Sequence, residues 1–142
     1  VTIVYGSIHG HTAKAAKVMQ KMLEDRGQKV EIFDLARDDM AEAIECAYRY
    51  DKLVIATVTY DAGVFPVVED FVYHLKLKNY QKRTVGIIQN GSWGPVAGKK
   101  VKESLETLKD IKIVDPMVTI RSALKEGNLT AMEALADALV AK

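Results

Sequence analysis

The chain reads as a three-layer α/β domain, with five parallel strands in the order 2-1-3-4-5 and helices on both faces. Three observations predict it. Strand-like and helix-like patterns alternate five times within 142 residues, the arrangement of βα units joined by right-handed crossovers. The run Leu53-Val54-Ile55-Ala56 is apolar throughout, as a central parallel strand covered on both faces must be. The stretches of unusual composition fall after the first, third and fourth strands. The 2-1-3-4-5 order brings those loops to one carboxyl edge, beside the switch point between strands 1 and 3.

Taken in order, Val1–Tyr5 is short, apolar and β-branched, and reads as strand 1. A helix follows from Ala13 to Glu24, with Ala15, Ala16, Met19, Met22 and Leu23 at helical spacing and Gly27 ending it. Lys29–Phe33 alternates polar and apolar residues and reads as an edge or half-covered strand; Asp34–Asp39 is a loop. Met40–Tyr48 is a weaker helix with Ile44, Cys46 and Ala47 inward. After strand 3, a loop from Thr57 to Gly63 leads to a helix from about Phe65 to Leu77, in whose first turn Pro66 is acceptable. Val85–Ile88 is strand 4, and Val101, Leu105 and Leu108 mark the next helix. Ile111–Ile120 supplies strand 5, broken or bent at Pro116, and Leu129, Met132, Leu135, Ala136 and Leu139 line the closing helix.

Composition narrows the function. An apolar content of 49% and a charged content of 27% are those of an ordinary globular domain, and one domain is expected over 1–142. A net charge of +1 argues against a nucleic-acid binder, and no apolar run is long enough to cross a bilayer. The single cysteine, Cys46, excludes an intrachain disulfide, so a cytoplasmic setting is expected. His9, His11 and His74 lack metal-ligand spacing, and no metal site is expected. Because Val1 already lies inside an apolar strand, the expectation is a fragment of a longer polypeptide.

The first loop, Gly6-Ser7-Ile8-His9-Gly10-His11-Thr12, joins a buried strand directly to a helix. Unpaired helix amides, the helix dipole and the hydroxyls of Ser7 and Thr12 make it a candidate anion site. A plain turn with Thr12 or His11 near the N-cap is the alternative. The second loop, Thr57–Pro66, gathers Thr59, Tyr60, Asp61, Ala62 and Gly63 at a strand end. The third, Gln89–Pro95, holds Asn90, Gly91, Ser92, Gly94 and the only tryptophan, Trp93. Glycines beside an indole let backbone approach a flat object that the ring covers. A phosphate site beside two aromatic, backbone-rich loops suggests FMN. A dinucleotide fits less well, because G-x-G-x-x-G is absent, although Asp34 is placed for a ribose. A phospho-receiver would need acids where Gly6-Ser7 and Thr57-Val58 stand.

These pieces resemble the flavodoxin-like FMN domain of flavodiiron proteins (A-type flavoproteins). The matching stretches are Ser7–Thr12, Thr59–Pro66 with Val68–Phe71, Asn90–Pro95 and Val118–Leu124, and the similarity spans essentially the whole chain. The resemblance implies non-covalent FMN, with Ser7, Ile8, His9, Gly10, His11 and Thr12 around the phosphate. Thr59, Tyr60, Asp61, Ala62 and Gly63, with Asn90, Gly91, Ser92, Trp93 and Gly94, would border the ring, and the 61–63 backbone would contact its N5 edge. No side chain need be catalytic, since the cofactor carries the chemistry. The implied partners are a reductase or rubredoxin-like donor and a diiron domain or other acceptor, with a homodimer left open. His9 stands where these relatives often have an aromatic residue. The family's diiron domain is absent from the 142 residues, and near neutrality sets the chain apart from strongly acidic flavodoxins. Two alternatives stand beside an electron-transfer relay: a free-standing FMN-dependent NAD(P)H:quinone-type reductase, and a docking module that has lost FMN.

Overall fold

A computed structural model describes residues 1–8, 10–60, 63–91, 95–121 and 123–141. The elements run β1 (Thr2–Tyr5), α1 (His11–Asp25), β2 (Glu31–Asp34), α2 (Met40–Arg49), β3 (Lys52–Tyr60) and β4 (Gly63–Val64). They continue with α3 (Pro66–Leu77), β5 (Arg83–Asn90), α4 (Ala97–Glu106), β6 (Ile111–Ile113), β7 (Val118–Ile120) and α5 (Glu126–Val140). The parallel sheet has the order β2-β1-β3-β5-β6, with β7 also paired to β5. Because β6 and β7 are the two halves of the fifth strand, this is the expected 2-1-3-4-5 topology. The break falls around Pro116: β6 pairs with Arg83–Val85 and β7 with Ile88–Asn90, both along β5.

Each face of the sheet buries its own apolar cluster. One gathers Ile3, Val54, Ala56 and Ile88 with Ala15, Ala16, Met19 and Leu23 of α1 and Met132, Leu135, Ala136 and Leu139 of α5. The other gathers Val4, Leu53, Ile55 and Ile87 with α2, α3 and α4, through Ala43, Ile44, Phe71, Leu75, Val101 and Leu105. Adjacent β-strand residues thus serve opposite cores, which is why Leu53–Ala56 of β3 is apolar at every position. Cys46 is a core residue, 2% exposed, in contact with the Thr2 hydroxyl at 3.0 Å.

Helix ends follow their sequence signals. Asp39 caps α2, its Oδ1 accepting from Ala41 N at 2.9 Å. Gly27, at φ 80°, closes α1: its N–H donates to Glu24 O and that of Gln28 to Leu23 O, both at 3.0 Å. Arg26 then ties this end to α5 through Asp137 at 2.8 Å and Glu133.

Three expectations are corrected. β3 does not stop at Ala56 but runs on to Tyr60 and turns back as β4, with Thr59 opposite Val64 and Tyr60 opposite Gly63. The residues Thr57-Val58-Thr59 have strand propensity, and their polarity disguised the extension. Leu129 is 36% exposed rather than buried, because it lies in the first turn of α5, beyond the stripe that faces the sheet. Leu108 is half-buried but lies past the end of α4.

Candidate functional site

Parallel topology places the loops after β1, β3, β5 and β7 at one carboxyl edge. The first is anchored from below. Gly6 N donates to Ala56 O at 3.1 Å, and a Cβ on Gly6 would stand 2.8 Å from Val68 Cγ2 and 2.9 Å from Phe65 Cδ2. Only glycine lets this strand end lie against the start of α3. The N-cap of α1 is Gly10, in the left-handed region at φ 84°, and His11 and Thr12 are the first two residues of the helix after it. Ser7 Oγ accepts from Gly10 N at 3.0 Å and so braces the turn.

No side chain caps α1, and its first turn carries no acidic residue. Thr12 is 1% exposed, and its hydroxyl has no hydrogen-bond partner among the described residues. An uncapped helix start beside a hydroxyl that makes no hydrogen bond among the described residues, on an otherwise buried side chain, fits an anion, and a phosphate in particular. His11 and Ile8 are exposed, Ile8 by 44%.

The second and third loops are tied together by Thr59. Its Oγ1 accepts from Val96 N at 3.1 Å and Ala97 N at 3.2 Å, which gives α4 the N-terminal cap that its own sequence lacks. Gly91 N donates to Ile120 O at 3.0 Å, and a Cβ on Gly91 would meet Pro95 Cβ at 3.0 Å and Thr59 Cβ at 3.3 Å. Tyr60 is 45% exposed, its ring edge-on to Phe65 with centroids 5.7 Å apart. Gly63 is half-buried opposite it, and Asn90 is buried at the end of β5. The loops therefore meet, with apolar surface exposed at Ile8 and Tyr60. His9, Asp61, Ala62, Ser92, Trp93 and Gly94 lie outside the described residues, so their expected roles stay expectations.

Two supporting residues were not singled out from sequence. Gln89 Nε2 donates to Thr119 Oγ1 at 2.9 Å while its Oε1 accepts from Gly98 N at 2.8 Å, joining β5, β7 and α4. The available signal was a polar residue ending an apolar strand. Asn128 joins β7 to α5 by donating to Thr119 O at 3.2 Å.

Asp34, the residue placed for a ribose, turns into its own loop. Its Oδ1 accepts from Ala36 N at 3.0 Å, its Oδ2 lies 3.8 Å from Arg37, and its N–H donates to Asp38 Oδ2 at 2.6 Å. Burial, followed by the carboxylates of Asp34 and Asp38, pushes the nearby Tyr5 phenol above its ordinary pKa.

An open parallel α/β sheet in the order 2-1-3-4-5, with its loops gathered at the carboxyl edge beside the switch point, is the architecture of a flavodoxin-like domain. The chain belongs to the flavodoxin family, whose model matches residues 3–134. It is a flavodoxin-type electron-transfer domain, and FMN is the cofactor of this family. No curated protein matches the chain. Among solved structures, the rubredoxin oxygen:oxidoreductase of Desulfovibrio gigas is similar at a TM-score of 0.88 and 17% identity over 97% of this chain. This chain covers 34% of that protein, about a third of its length. A flavodoxin from the domain Archaea is similar at a TM-score of 0.81 and 17% identity, over 95% of this chain and 92% of that one. The flavodiiron protein of Giardia intestinalis gives 0.83 at 16% identity, over 96% of this chain and 34% of that one. At these identities the likenesses concern the fold.

Proposed function

We propose that this chain binds FMN at the carboxyl edge and relays electrons as the flavodoxin-like part of a flavodiiron-type protein, within a longer polypeptide. The observation that carries the binding site is the Thr12 hydroxyl, which makes no hydrogen bond among the described residues, beside the uncapped first turn of α1. When bound, FMN supplies reversible one- and two-electron transfer. Ser7, Gly10, His11 and Thr12 would hold the phosphate, the amides and hydroxyls donating to its oxygens. Tyr60, Gly63, Asn90 and Gly91, with the residues between them in sequence, would border the ring and limit its contact with water. Thr59 serves this site indirectly, by fixing the second loop to the third.

The flavodiiron assignment is supported by the loop sequences and by the likeness to one third of each of two flavodiiron-type proteins. A second reading, a free-standing flavodoxin, is supported by an archaeal flavodoxin that this chain covers almost end to end. Sequencing the gene upstream of Val1 separates them: codons for a preceding domain with His, Glu and Asp metal ligands favour the first reading, and a nearby start codon the second. The test of the site is titration of the purified chain with FMN and with riboflavin, followed by flavin fluorescence. Quenching with FMN and much weaker quenching with riboflavin is expected, and equal affinity for both would remove the phosphate assignment.

A further inference from the structure

Charge is divided along the carboxyl edge. At the β2 end stand Asp34, Asp38 and Asp39, with Glu69 and Asp70 in the first turns of α3. At the other side, Lys14 and Lys17 project from α1, Arg121 follows β7 and Lys125 starts α5. α1 and α5 pack side by side on one face, so their N-termini lie together at this edge. Between the two poles, on the loop after β1 and at the end of β3, are the exposed Ile8 and Tyr60.

The poles differ in how far their charge is already engaged. Asp34 and Asp38 accept backbone N–H groups within their own loop, Arg37 approaches Asp34, and Asp39 caps α2. Asp70 is met by His74 Nδ1 at 3.4 Å. By contrast Lys14, Lys17, Arg121 and Lys125 are exposed and make no ion pair among the described residues. Lys14 and Lys17 border a groove of about 690 Å3 between α1 and α5 that begins at Gly10. Farther along it, Lys21 is paired with Asp25 at 3.5 Å. The α1/α5 side of the rim therefore presents positive charge unpaired among the described residues, with Glu126 next to Lys125 as its one acidic neighbour in sequence, while the β2 side keeps the negative charge of its carboxylates.

We propose that the α1/α5 side of the rim docks an acidic electron-transfer protein, whose carboxylates meet Lys14, Lys17, Arg121 and Lys125 while its redox centre approaches the Ile8–Tyr60 surface. This rests on the electron-transfer reading above. The division of charge would also orient the partner, because rotation within the interface would bring its carboxylates over Asp38 and Glu69.

The experiment is amide chemical-shift mapping of the isotope-labelled chain, with and without FMN, against a plant-type [2Fe–2S] ferredoxin as acidic probe and cytochrome c as basic probe. Ferredoxin is expected to shift the amides around residues 14, 17, 121 and 125, with affinity falling roughly tenfold or more between about 20 and 300 mM salt. Lys14→Glu with Lys125→Glu should weaken it by about tenfold, and Asp38→Asn should change it less than about twofold. Shifts clustered at residues 34–42 and 69–70, stronger binding of cytochrome c, or no effect of charge reversal would overturn the proposal. Mapping needs no flavin, so a chain that takes up no FMN would sink the electron-transfer reading while the docking surface is still decided.

Discussion

Thr12 and Tyr80 each hold a hydroxyl without a hydrogen-bond partner among the described residues, and they differ in where it sits. Thr12 lies at the mouth of α1, so a ligand can reach it; Tyr80 is 0% exposed behind α3, with its OH buried and unpaired. Thr12→Val keeps the shape and removes the donor. FMN affinity should drop about 10- to 100-fold, as for one hydrogen bond to a charged group, while riboflavin affinity and the melting temperature of the FMN-free protein hold. A parallel loss of riboflavin binding, read by fluorescence titration, would move Thr12 to another role. Tyr80→Phe removes an orphaned polar atom and should leave stability unchanged or raise it by about 1 kcal/mol, as measured by urea unfolding. Burial also pushes the phenols of Tyr5, Tyr48 and Tyr80 upward. The folded state then keeps protons that the unfolded chain releases above about pH 10, so stability is full below that pH and falls as pH rises beyond it. Tyr80→Phe should flatten that fall in alkaline melting curves.

At the level of elements, the positions most sensitive to change are those where one segment closes on another. Gly6→Ala would drive a methyl into Val68 and Phe65 at the start of α3, which must shift to admit it, at a cost of roughly 1–3 kcal/mol. Because the same residue anchors the first loop, FMN affinity should weaken along with the denaturation midpoint. If stability fell with affinity intact, the first loop would not depend on this contact. The sheet order, the proline break in the last strand and the Gly10-containing turn were readable because each rests on local chemistry: apolar runs, a missing N–H, a residue that accepts positive φ. Thr59 shows what was not. Its hydroxyl reaches Val96 and Ala97, 37 and 38 residues away, so its capping role exists only after the sheet forms. The same holds for Gln89, which a sequence shows only as an amide at a strand end. The β3–β4 return was hidden because a Thr-rich extension has the composition of a loop and the backbone preference of a strand.

For the whole molecule, the two apolar clusters share one sheet, and the site lies across its edge, so ligand binding should stabilise the fold as a unit. At FMN about 100-fold above its dissociation constant, the gain is about 2.7 kcal/mol, or roughly 10 °C in melting temperature. Scanning calorimetry with and without FMN measures it, and an unchanged melting temperature at saturating FMN would count against binding to the folded state. The divided fifth strand has a further consequence, for how the molecule behaves among copies of itself. One border of the sheet ends in two three-residue pieces, Ile111–Ile113 and Val118–Ile120, on either side of Pro116; the other ends in the four residues Glu31–Asp34. Neither border offers a long, straight row of amides and carbonyls on which a foreign strand could lie down. A molecule with such a sheet at its centre is thereby kept from stacking border to border into fibrils.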